Sequence, residues 1–117
     1  MDLEGLKEVL LETGLPVVYE QFQAKEYNDS PPPLPWIVFY ETNSDNFFAD
    51  NKVYLNIRDV TIELYTEHKD ITVEKQLESI LTENGIVFNT YDELIEDEGL
   101  YLHSIDVRIW WQGDING

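Results

Sequence analysis

The sequence predicts an α+β fold: a single mostly antiparallel sheet with two helices packed on it and a long projecting β-hairpin loop. Three observations carry this. Two segments space their apolar residues for a helix and end on glycine. Several others alternate or run apolar like strands. The chain has 117 residues, a length for one domain, 1–117, able to bury roughly two-thirds of its unfolded surface.

The first helix is read in "MDLEGLKEVLLETGLP", where Leu3, Leu6, Val9, Leu10 and Thr13 share a face and Gly14 and Pro16 mark the stop. "PVVYEQF", 16–22, is rich in strand formers. The connector "QAKEYNDSPPPLP", 23–35, cannot donate to a ladder at its prolines. It serves as a stiff spacer or as a recognition segment for a partner domain. "WIVFYET", 36–42, begins apolar on both faces and suits an inner or doubly covered strand.

A long strand follows, from Val53 to Glu67. Val53, Leu55 and Ile57 are apolar at odd positions, whereas Val60, Ile62 and Leu64 are apolar at even ones. A strand of period two can change phase at Arg58-Asp59 only through a bulge or a break. Paired with 36–42, it makes an antiparallel hairpin whose tip is "NSDNFFADNK", 43–52. That tip reads as polar loop except for Phe47 and Phe48.

"HKDITVEKQLESILTENGI" is the second helix. Asp70 or Thr72 caps it, Glu74 stands in the first turn, Val73, Leu77, Ile80 and Leu81 form the stripe, and Asn84-Gly85 ends it. "IVF", 86–88, starts a strand. "YDELIEDEG", 91–99, reads as an acidic stretch before the last strand, "LYLHSIDVRIWW", which sets Tyr101, His103, Ile105, Val107, Ile109 and Trp111 on one face. Residues 112–117 read as a disordered tail.

Seven basic residues face 24 acidic ones, a formal net charge of −17. This argues against binding DNA or an anionic membrane, both of which need a positive footprint. The chain has no cysteine, hence neither disulfide nor thiolate chemistry. It also has no basic-apolar leader and no apolar run long enough to span a bilayer, so a soluble, cytosol-made protein without a membrane partner is expected.

The motifs of hydrolases, nucleotide-binding loops and metalloproteases are absent. "EHKD", 67–70, holds catalytic residue types, but at a strand-to-helix turn, where polar side chains cap and solvate. "DNFFADN" and "YDELIEDE" supply oxygen ligands without the glycine and spacing of a calcium loop. No enzyme, no cofactor and no specific metal site are therefore expected.

What remains is an interaction protein. Phe47 and Phe48 are adjacent rings in a polar tip. Trp110 and Trp111 are neighbours in a strand, so they cannot both face one core. One tryptophan meets either a partner or another part of the chain itself.

The run "ADNKVYLNIRDVTIELYTEHKDITVEKQLESIL", with "GIVF" and "EGLYLHSIDVRIW", resembles a family of small proteins from tailed phages and prophages of Gram-positive bacteria. These are the tail-terminator, or tail-to-head joining, proteins. The likeness spans roughly residues 1–111, and its most specific parts are "ADNKVY", "IELYTEHKD" and "LYLHSIDV". It implies a virion structural protein in the tail or neck, made in the host bacterial cytoplasm. It also implies a ring of its own copies, usually a hexamer, contacting the tail-tube protein and the head-connector protein, with DNA passing through the lumen unbound. On that reading Phe47, Phe48, Trp110 and Trp111 form subunit or tail-tube contacts. Asp92, Glu93, Glu96, Asp97 and Glu98 line an acidic lumen that repels phosphates. Another neck or connector ring fits the same pattern. An acidic mimic of DNA, which blocks DNA-binding proteins, is the alternative from a different class.

Overall fold

The structure, a computed structural model, describes residues 1–20, 33–49, 52–95 and 99–113. Helix α1 spans Leu3–Leu11, with Asp2 capping through a hydrogen bond from the Gly5 amide (2.8 Å). It buries Leu6, Val9 and Leu10, and Gly14 follows at φ +78°, a conformation a side chain would strain. Strand β1, Val17–Tyr19, is short. β2 spans Trp36–Ser44, β3 Phe47–Ala49, β4 Lys52–Thr66, α2 Ile71–Glu83, β5 Phe88–Ile95 and β6 Leu100–Gln112.

The sheet runs β1-β2-β4-β6-β5, antiparallel except for the parallel β1–β2 pair, and β3 pairs with the start of β4. This is the α+β architecture that the sequence predicts, with both helices on one face. Leu6 and Leu10 of α1 and Leu77 and Leu81 of α2 close over Ile37, Phe39, Val60, Ile62, Leu64, Ile105 and Val107. Each fully buried aliphatic side chain there is worth about 1.5–3 kcal/mol. Asp70 is the α2 cap, accepting from the Val73 amide. Gly85, at φ +73°, follows Asn84.

Three expectations change. First, 43–52 is not a plain loop. Asn43 and Ser44 belong to β2, and Phe47–Ala49 forms β3. β2 and β3 run in the same direction along β4, so the projection is a stranded hairpin arm with a short interruption at Asp45 and Asn46. The interruption is held down: the Asp45 amide donates to the Ile57 carbonyl (3.0 Å), and Asn46 Oδ1 accepts from the Ile57 amide (3.0 Å).

Second, the phase change at Arg58-Asp59 is not a break in β4. β4 pairs continuously with β6 from Leu55 to Thr66, and the register shift lies in β2, between Glu41 and Asn43. β4 therefore keeps its alternation, and its own apolar residues change face instead, while Ile109 and Trp111 of β6 stay on the helix side. Val60, Ile62 and Leu64 look toward the helices, whereas Leu55 and Ile57 look away from them.

Third, 91–95 is strand. β5 begins at Phe88 and carries the Tyr-Asp-Glu-Leu-Ile run opposite β6. Gln112 also belongs to β6, while 114–117 and 21–32, which holds the end of the 16–22 strand reading and most of the 23–35 connector, lie outside the described residues. No helix among the described residues is long and apolar enough to cross a membrane.

Candidate functional site

The face change has a local consequence at the hairpin end. Register places Phe47 opposite Leu55, and Ile57 opposite Trp110, all on the face away from the helices. Phe47, Phe48 and Trp110 are 59%, 62% and 55% exposed. Trp111, on the opposite face, packs against the core, with the Arg58 guanidinium 5.1 Å from its ring. Arg58 also pairs with Glu41 at 2.5 Å. The two tryptophans thus divide as strand alternation requires, one inward and one outward. Phe47 and Phe48 do not divide in this way: a register shift falls between them, they pair with Leu55 and Val53, and both rings are exposed.

Beside Trp110 the open face forms a groove of about 640 Å³, lined among others by Thr42, Asp59, Asn89, Tyr91 and Arg108. Arg108 grips Asp59 with two hydrogen bonds, Nε to Oδ1 at 2.8 Å and Nη2 to Oδ2 at 3.2 Å. That grip holds the Asp59 carboxyl below its ordinary range. Farther along this face, burial raises Glu63 above the usual carboxylate value, and Tyr65 and Tyr40 hydrogen-bond to it.

A second constellation lies on the helix side. Glu74 of α2 is buried and meets Lys69 Nζ at 2.9 and 3.1 Å. The same ammonium reaches Asp92 Oδ2 of β5 at 3.0 Å and stands 5.2 Å from the Tyr101 ring. Buried His103 of β6 turns Nδ1 to Asp92 and, at 3.4 Å, to Glu74 Oε1. Among the described residues its Nε2 has no hydrogen-bond partner, and it faces Glu78 Oε1 at 3.9 Å. Hydrogen bonds from His103 and then Lys69 draw the Asp92 carboxyl down to about 2. Glu74, Asp92 and His103 put one ligand atom each within 4.8 Å of one another, a set able to hold a cation. Lys69 already brings a positive charge to both carboxylates, so the cluster acts as a polar clasp joining the β4–α2 turn, α2, β5 and β6. Sequence reading placed His103 on the apolar face but missed this clasp. The signal was available: a histidine in that row needs polar company, and Glu74 falls on the inward side of α2.

Two of the five acidic candidates lie on β5. Asp92 and Glu93 are strand neighbours on opposite faces, and Asp92 is held by Lys69 and His103. Glu96, Asp97 and Glu98 lie outside the described residues. No protein-family model and no curated protein matches the chain.

Proposed function

We propose that this protein is a virion structural protein that forms a ring at the head-proximal end of a phage tail. There it ends tail-tube polymerisation and joins tail to head. The observation that carries the reading is the exposed aromatic end of the sheet: Phe47, Phe48 and Trp110 on a tethered hairpin and the strand beside it. Exposed rings of this kind are the usual anchors of a protein interface, each burying about 150–250 Å² when covered. A ring needs head-to-tail contacts between different surfaces of identical subunits. A stranded arm reaching beyond the helix-backed body suits such a contact with a neighbouring copy or with the tail-tube protein. The acidic balance suits a conduit that lets DNA slide without holding it. Packing several copies of charge −17 around one axis is costly at low salt. Screening with a Debye length of about 8 Å at about 0.15 M relieves that cost.

Negative-stain images across salt concentrations, with and without magnesium, test the proposal. Closed rings with a central hole are expected. Single particles under every condition would count against a ring-forming protein.

A further inference from the structure

β5 is the edge of the sheet on the side away from β1, and it is eight residues long. It bonds to β6 on one side, and among the described residues nothing bonds to its outer edge. An open edge of this length is a template for another strand. Its side chains say which strand. Asn89, Tyr91 and Glu93 lie on the open face, and Asp92 and Leu94 lie on the helix side. Tyr91 and Leu94 are exposed. Asp92 already has Lys69 and His103 as partners, so the negative charge left to meet a newcomer is on the open face: Glu93 on β5, with Glu63 and Asp106 on the strands behind it. A second copy of this chain would bring the same acids against these, and like charges directly opposite in a ladder repel.

We propose that β5 is a docking edge for an extended segment of a different protein, one carrying Lys or Arg at alternate positions. Its basic side chains lie over Tyr91 and Glu93 on the open face, and its intervening apolar side chains lie beside Leu94. The acids then exclude self-pairing and admit a basic partner, which is specificity through repulsion as well as attraction. The inference goes beyond the ring reading and stands without it, because the aromatic hairpin end takes no part.

The test uses 15N-labelled protein and three short peptides: alternating Lys-Val, alternating Lys-Pro of equal charge, and alternating Glu-Val. Proline cannot donate to a ladder, so Lys-Pro keeps the charge and loses the pairing. Saturable binding of Lys-Val is expected, with slowed amide exchange confined to 88–95. Binding should weaken by about tenfold or more for Lys-Pro, and for Lys-Val on the exposed-site variants Glu93→Gln and Glu93→Lys. Equal binding of Lys-Val and Lys-Pro, equal binding of Glu-Val, no binding of Lys-Val, or perturbation away from β5 would each overturn the proposal.

Discussion

The two ends of β4 use apolar residues for opposite purposes. From Val60 to Leu64 the apolar positions face α1 and α2 and are almost completely buried. From Leu55 to Ile57 they face away from the helices, beside Phe47 and Trp110, which are exposed. The strand does not change between them; what changes is which side carries the apolar residues. One end is therefore core and the other is surface, although both are built from the same side-chain types. An interior end should answer mutation through stability, and a surface end through association.

The largest expected effect is at the core end. Leu77→Ala or Ile62→Ala removes a fully buried side chain and should destabilise the protein by about 2–5 kcal/mol. Urea denaturation reads this directly. A loss below about 1 kcal/mol would break the comparison, because it would show that the helices do not close the sheet.

At the other end, Trp110→Ala should move stability by no more than about 0.5 kcal/mol, as surface changes usually do. Trp111→Ala should cost more, because its ring packs on the core and against Arg58. Equal costs for the two neighbours would mean that Trp110 is covered within the folded chain.

The clasp beside the α2 end of β4 sharpens the picture through pH. The folded-state pKa of Asp92 is lowered from 3.8 to about 2. Its contribution is therefore present above about pH 4 and is lost as pH falls toward 2. Asp92→Asn should flatten the acid limb of the stability curve over that window, as followed by denaturation at stepped pH. An unchanged acid limb would remove the clasp from the account. Arg58→Ala should cost less than the core substitutions, under about 1 kcal/mol, because its ion pair with Glu41 is partly solvated. A larger loss would show that its stacking on Trp111 fixes the end of the sheet.

How far these features were legible in the sequence follows from their range. The helices were readable because their signals are local: spacing, an Asp cap, a glycine stop. The β2–β4 hairpin and the single face of β6 were readable from alternation. The start of β5 was readable at "IVF", 86–88, but its extension through 91–95 was not, because an exposed edge strand shows no apolar period and Asp92 and Glu93 read as part of an acidic stretch. The phase change in β4 was visible, but its cause was assigned to the wrong strand; pairing with β6 keeps β4 regular and moves the irregularity to β2. The Lys69–Glu74–Asp92–His103 clasp joins groups from distant parts of the chain, with Lys69 and Asp92 23 positions apart, a proximity that only folding creates. The exposed aromatic pair was legible because two phenyl rings have little use in an otherwise polar segment, though its strand geometry was not.

The central claim is that the aromatic hairpin end is an assembly surface and not part of the core. Light scattering of the wild type beside Phe47→Ala/Phe48→Ala, with circular dichroism and melting on both, tests it most directly. The account predicts a multi-subunit wild type and a folded, equally stable variant reduced to the monomer mass. A variant that keeps the wild-type mass, or one that loses its fold, would contradict it.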